Sequence, residues 1–235
     1  MRKTLLVTLT TLCTSPLAAT QARAQSSFYI RMLPEVSVVS AEHTKQVTTA
    51  DGFSSNSSSA LTPEGGINFY VGYLSPSEGW AIGGELRGAI SLRPTIEDRI
   101  SRAGTGTHAV WPGPWEIANR VGMGANLLAG RNLGFINGRG FLFAGIARWN
   151  TDFRSAGDDP ASEELIDDTR QTGRWPLTAG LGVTLPFERP LDIRLRYFRS
   201  VTSWSVDHDV NQKSLTFDYT FSVQGLALSL GLGTR

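Results

Sequence analysis

The sequence predicts an all-β chain, an eight-stranded antiparallel up-and-down transmembrane β-barrel. Three observations predict it. Apolar residues recur with a period of two in successive stretches, the connections between these stretches alternate between long and tight, and charged residues fall on the face opposite the oily one. No stretch reaches the roughly 18 uninterrupted apolar residues that a membrane helix needs, so any crossing must use strands. The 25 glycines and 11 prolines among 235 residues agree with an all-β class.

The chain opens with a positive Met1-Arg-Lys, a short apolar core from Leu5 to Leu12 and a small-x-small site, Ala22-Arg-Ala24, before Gln25. This is the pattern of an export signal over 1–24, followed by one domain over 25–235. The single cysteine, Cys13, falls in that signal, and Leu12 stands where a lipoprotein site needs a small residue. The expected mature chain therefore has no disulfide and no cysteine–metal site. Loss of Arg2, Lys3 and Arg23 from the 22 basic residues leaves 19 against 21 acidic ones, a formal charge of −2. There is no basic excess for nucleic acid.

The first strand alternates Phe28, Ile30, Met32, Val36 and Val38 with Tyr29, Arg31, Glu35 and Ser37, and Pro34 predicts a bulge or edge distortion. A Ser/Thr-rich segment, Ser40 to Glu64, has no hydropathy period and is expected to be a long loop. Strand two carries Ile67, Phe69, Val71 and Tyr73, and Ser75 to Gly79 turns tightly into strand three, Trp80 to Leu92. A second long loop, Arg93 to Gly113, leads to strand four, Pro114 to Leu128. Its oily face is expected to hold Trp115, Ile117, Val121, Met123, Ala125 and Leu127, opposite Glu116 and Arg120.

A turn ending in Asn137-Gly138, a dipeptide that tolerates positive φ, leads to strand five. There Phe141, Phe143, Gly145, Ala147 and Trp149 alternate with Leu142, Ala144, Ile146 and Arg148. The third long loop, Thr151 to Gly173, holds the acidic run Asp158 to Asp168, with Asp159 and Pro160 placed to start a short helix. Strand six is Leu177 to Leu185, whose oily face is opposed by Thr178, Gly180, Gly182 and Thr184. Small residues there relieve crowding inside a narrow barrel. Pro186 to Pro190 closes it into strand seven, where Leu191, Ile193, Leu195 and Tyr197 oppose Asp192, Arg194 and Arg196. A shorter loop, Val206 to Lys213, precedes the last segment. Its apolar residues run in one phase from Leu215 to Val223 and in the other from Leu226 to Leu232, which predicts a bulge at Gln224-Gly225.

Charge placement separates a membrane barrel from a soluble sandwich. Arg31, Glu35, Glu85, Arg87, Glu116, Arg120, Arg148, Asp192, Arg194 and Arg196 all take the phase opposite the oily one, the expected composition of an ion-paired lumen. Lipid would penalise the other register by about 2–4 kcal/mol for each Arg at the midplane. Trp115, Trp149, Trp175 and Trp204 stand at strand ends beside long loops and are expected to form one interfacial girdle, with Trp80 at the opposite rim.

On this pattern of export signal, eight alternating strands and long loops on one side, the chain resembles the small eight-stranded outer-membrane β-barrels of the OmpA/OmpX type, often labelled porin-like. The resemblance covers Phe28 to Arg235 and implies a bare barrel in the bacterial outer membrane, in contact with lipid and lipopolysaccharide and inserted by the outer-membrane assembly machinery. Members are usually recognised by an aromatic C-terminal residue that the assembly machinery reads; this chain departs from that, ending Leu232-Gly-Thr-Arg235.

Chemistry-bearing residues are sparse. His43, His108 and His208 fall in expected loops without a second histidine at ligand spacing. The enzymatic candidate is Ser203-Trp-Ser-Val-Asp-His208-Asp, with His208 as base, Asp207 or Asp209 as orienter and Ser203 or Ser205 as nucleophile, as in a lipid-modifying barrel. The run Asp158 to Asp168 is a candidate for a divalent cation, though without calcium-loop spacing. Eight strands leave an interior that side chains fill. The expectation is a non-enzymatic monomer without cofactor, structural and surface-binding through its loops, with a small solute pore as the alternative.

Overall fold

The computed structural model describes residues 27–76, 79–92, 95–158, 164–210 and 213–233. Ten strands are present: β1 (Ser27–Thr49), β2 (Gly52–Pro76), β3 (Ala81–Ser91), β4 (Thr95–Ile100), β5 (Gly113–Leu133), β6 (Gly138–Asp158), β7 (Leu165–Arg174), β8 (Leu177–Leu185), β9 (Leu191–Val210) and β10 (Lys213–Gly233). They occupy eight positions of one antiparallel ring. β1 pairs with β2 and β10, β10 with β9, β9 with β8, β8 with β6, β6 with β5, β5 with β3 and β3 with β2, which closes the cylinder. The third and sixth positions are each broken in two: β4 continues β3 but pairs with β5, and β7 precedes β8 and pairs with β6. The chain is an eight-stranded up-and-down β-barrel.

Ser27, where β1 begins, Gly233, where β10 ends, and the short connections between β2 and β3, β5 and β6, and β8 and β9 lie at one end, here the lower. Its turn after the 3-10 segment Gly134–Ile136 places Asn137 in the left-handed region, at φ 48°, as the Asn-Gly dipeptide suggests.

The expected long loops are largely strand. Ser40 to Glu64 forms the upper halves of β1 and β2, joined by a turn at Ala50-Asp51 and paired rung by rung from Thr49↔Gly52 downward. The same holds for Thr151 to Asp158, Leu165 to Gly173 and Val206 to Val210. Arg93 to Gly113 includes β4, a 3-10 turn at Gly106–His108 and a bridge between Ala103 and Val110. These segments hide their period because Ser, Thr and Asn occupy both faces. The export segment, 1–24, and the helix start at Asp159-Pro160 lie outside the described residues.

Two expected bulges are absent and one unexpected bulge is present. β1 keeps its register through Pro34, which interrupts only the ladder to β10, as a residue without an N–H must. β10 keeps its register through Gln224-Gly225 against both neighbours. The register shift falls instead in β5, between Asn119 and Gly122.

One inversion explains the last two. In the lower half the outward side chains are apolar, as in Phe28 to Val38 and Leu226 to Leu232, while the inward ones combine charged and polar residues with a small apolar cluster that includes Leu74, Leu128, Phe141 and Phe143. In the upper half, outward positions are Glu42, Thr44, Gln46 and Thr48 on β1 and Thr216, Asp218, Thr220 and Ser222 on β10, while Val39, Ala41, Val47, Leu215, Phe217, Phe221 and Val223 are buried inside. A strand whose apolar phase switches at the boundary satisfies both halves without a bulge, and β10 is such a strand. β5 keeps its apolar residues in one phase from Trp115 to Leu127, so only a bulge lets Trp115 and Ile117 point in while Val121, Met123 and Leu127 point out.

Candidate functional site

The lower half presents an outward belt of exposed apolar side chains on every ring strand. It includes Met32, Phe69, Leu86, Met123, Leu142, Leu181, Leu195 and Leu228. Such a belt far exceeds the scattered apolar residues of an ordinary soluble surface. At its upper edge Trp175 is exposed beneath the Arg148 guanidinium, 5.5 Å from the ring centroid, and Tyr197 donates to Gln224 at 3.2 Å. Trp80 is exposed at the lower rim.

Inside this belt the barrel is filled by paired charge. Arg194 Nη1 donates to both Glu85 oxygens, at 2.7 and 2.9 Å, and its Nε donates to Asp192 at 3.0 Å. Arg31 closes on the same Asp192, Thr184 donates to it at 2.5 Å, and Tyr29 and Asn126 donate to Glu85 at 2.8 and 2.9 Å. One level up, Glu35 accepts from Arg196 at 2.5 Å and Ser229 at 2.9 Å, and Arg87 donates to Asn68 at 2.8 Å. Each oxygen of Glu85, Asp192 and Glu35 accepts at least one bond, which offsets much of the cost of burying these charges. The walls admit it because Phe143 and Phe141 lie over Gly180 and Gly182, where an added Cβ would come within 2.4 Å of either ring.

Alternation brings Arg31, Glu35, Glu85, Arg87, Asp192, Arg194 and Arg196 together and separates three expected members. The β5 bulge turns Glu116 and Arg120 outward, where Arg120 pairs with Asp152 at 2.7 Å on the surface. Arg148 also points out, because Phe141 and Phe143, with glycines across from them, take the inward phase of β6. The expected tryptophan girdle is likewise divided. Trp115 and Trp204 are buried in the interior and Trp149 points inward, so only Trp175 and Trp80 are at the outer surface.

The upper interior is a packed, largely aromatic core. Phe221 contacts Phe153 at 5.0 Å and Trp204 at 5.3 Å, between centroids, so that rings from β6, β9 and β10 meet across the barrel. Trp115 donates to Ser58 at 2.6 Å, and the 101–112 segment folds Val110 and Trp111 onto the top, with Trp111 edge-on to Phe217.

Sequence reasoning missed the polar residues embedded there, since it placed them in loops. His43 is fully buried, stacked 4.2 Å from Phe221, with Nε2 3.0 Å from the Ser155 hydroxyl. Burial, with Lys45 beside it, pulls its imidazole down to about 3. Lys45, also fully buried, donates to the carbonyls of Ala156 at 2.8 Å and Trp111 at 3.3 Å. Burial pulls its ammonium down to about 8, against the pull of Asp168 and Asp158. The Asp168 carboxylate accepts from Tyr219 at 2.5 Å and lies 2.9 Å from His208. Burial, reinforced by that carboxylate, pushes the Tyr219 phenol up.

The serine–histidine candidate is not assembled. His208 points inward while Ser203, Ser205, Asp207 and Asp209 point outward, as odd sequence separations on one strand require. The acidic run is likewise split: Asp167 holds Arg154 through two bonds of 2.8 and 2.6 Å on the outer face, and Asp168 faces in. His108 sits in the 3-10 turn at the top. Among the described residues no group of three or more His, Cys, Asp or Glu converges as a metal site.

No family model and no curated protein matches the chain. Among solved structures it is similar to Neisserial surface protein A (12% identity, TM-score 0.39, covering 85% of this chain and 96% of that one). It is also similar to Ail, the attachment invasion locus protein of Yersinia pestis (11%, TM-score 0.33, 86% and 99%), and to the outer membrane protease OmpT from Escherichia coli (8%, TM-score 0.43, 86% and 98%). These likenesses are remote, and the barrel fold stands on the chain's own closed ring of strands.

Proposed function

We propose that the chain is an integral protein of the bacterial outer membrane, exported by its N-terminal signal. In this reading the lower half spans the bilayer, the upper half stands outside the cell as a closed, polar-coated head, and the protein is structural and surface-binding rather than catalytic. The observation that carries it is the inversion of both faces within unbroken strands. On β10 the outward series Leu232, Leu230, Leu228 and Leu226 gives way to Gln224, Ser222, Thr220 and Asp218, just where the inward series turns from Gly231, Ser229 and Ala227 to Val223, Phe221 and Tyr219. Lipid around the lower half and water around the upper half is the arrangement in which both series are favourable.

Lipid and lipopolysaccharide are the expected neighbours of the belt, with Trp175, Arg148 and Tyr197 at headgroup level. The outer face of β1, β2, β9 and β10, rich in Ser and Thr and carrying Glu42, Asp207 and Asp218, is the surface we assign to a partner. Cysteine placed at Asp51 should react with an impermeant maleimide on intact cells, and cysteine at Phe135 only after lysis. Recovery of the chain in the soluble periplasmic fraction, or equal labelling at both sites, contradicts the reading.

A further inference from the structure

Between the ion-paired floor and the aromatic core lies a cavity of about 30 Å³, lined by Glu35, Glu64, Asn68, Ser91, Arg174 and Arg196 among others. It sits at the upper end of the β2–β3 ladder. The β2–β3 ladder ends at Gly66↔Ser91 and a last bond from Leu92 N to Gly65 O at 2.8 Å, and above this point β4 pairs with β5 alone.

The cavity gathers unpartnered donors. Arg174 and Arg196 are 3% and 4% exposed, and each leaves its Nε without an acceptor; Asn68, 1% exposed, leaves its Nδ2 and Ser91 leaves its hydroxyl in the same condition. Arg174 does reach Ser200 at 3.4 Å, a long bond through Nη1. Charge is unbalanced at this level too. Below it, Arg31 and Arg194 are matched by Glu85 and Asp192. Arg174 and Arg196 line the cavity with Glu35 and Glu64, and Arg87, 3.8 Å from Glu35 and bonded to the lining Asn68, adds one positive charge in excess at this level. A buried excess charge without a counterion is strongly unfavourable. Water satisfies the donors and leaves the charge.

We propose that this cavity binds a small monovalent anion, of chloride or carboxylate size, between the Nε groups of Arg174 and Arg196, with the Asn68 amide and the Ser91 hydroxyl as further donors. The partnerless Glu64 Oε1 repels added charge and restricts the site to one negative charge.

The test uses the purified barrel in detergent. At constant ionic strength, replacing gluconate by chloride should raise the midpoint of thermal unfolding in a saturable way, and Arg174→Gln, which removes the excess charge, should lose that rise. Crystals of the wild type grown in bromide should show an anomalous peak between the two Nε atoms, a readout that stands even where the variant does not fold. An unchanged wild-type midpoint, an equal chloride response in the variant, or a cavity holding no bromide overturns the proposal.

Discussion

At the scale of single residues, the buried polar groups of the upper core make stability depend on pH in directions fixed by their surroundings. Lys45 titrates near 8 in the folded chain against an ordinary lysine value of 10.5, so between these values the unfolded chain holds a proton that the folded one has lost. The penalty is therefore complete below pH 8 and fades as pH rises to 10.5, a gain on the order of 3 kcal/mol. Urea unfolding of the refolded barrel should show this rise, and Lys45→Met should flatten it; a flat wild-type profile contradicts the burial argument. His43 acts at the other limb. Its pKa falls from 6.5 to about 3, so the unfolded chain is protonated first and stability drops as pH falls through that window. His43→Phe, which keeps the stack on Phe221, should lessen the acid loss. In the lower interior, Glu85→Ala leaves Arg31 and Arg194, the latter 1% exposed, to share Asp192 with one buried positive charge uncompensated, and should cost about 3–5 kcal/mol. Arg194→Met in the same background should recover part of it, whereas an additive further loss would show that the pair is not coupled.

At the scale of strands, the sequence was legible wherever one face was oily and the other charged. Outside β6, whose faces were read inside out, the lower halves and the inward phase of Arg31, Glu35, Glu85, Asp192, Arg194 and Arg196 follow from a period of two, and the tight turns from their Gly, Pro and Asn residues. The upper halves were not legible, because Ser54 to Ser59 offers the same small polar residue to both faces and so has no hydropathy period. The phase change in β10 carried the missing information. Read with one solvent in mind, it demands a bulge; read with lipid below and water above, it marks the boundary itself. Glu116, Arg120 and Trp115 were misplaced for the converse reason, since an unchanged phase in β5 conceals a real bulge. The separation of His208 from Ser203 and Ser205 was readable from parity alone. This boundary can be measured on one face of one strand. Leu228→Arg should cost about 2–4 kcal/mol of stability in lipid vesicles, and Thr220→Arg about 0–1 kcal/mol. Equal costs would place both positions in the same solvent and remove the argument for the boundary.

At the scale of the whole molecule, two seals of opposite chemistry are stacked along the barrel axis, and they should fail differently. The lower one is a charge network around Glu85, Asp192 and Glu35, which lumen water and salt screen once a member is removed. The upper one is a packed core of Phe153, Trp204, Phe221, Trp115 and Phe217, which water does not dissolve. An ion that passes the first still meets the second. The barrel is accordingly expected to be silent in planar-bilayer recordings, and a variant combining Glu35→Ala with Glu85→Ala should be less stable yet equally silent. Conductance should appear only when the aromatic seal is cut as well, as in Phe153→Ala with Phe221→Ala added to that variant, because opposing walls then lose the rings that meet between them. Steady conductance from the wild type would make the protein a pore. Conductance from the charge variant alone would place the whole barrier in the ion pairs and leave the aromatic core a merely structural filling.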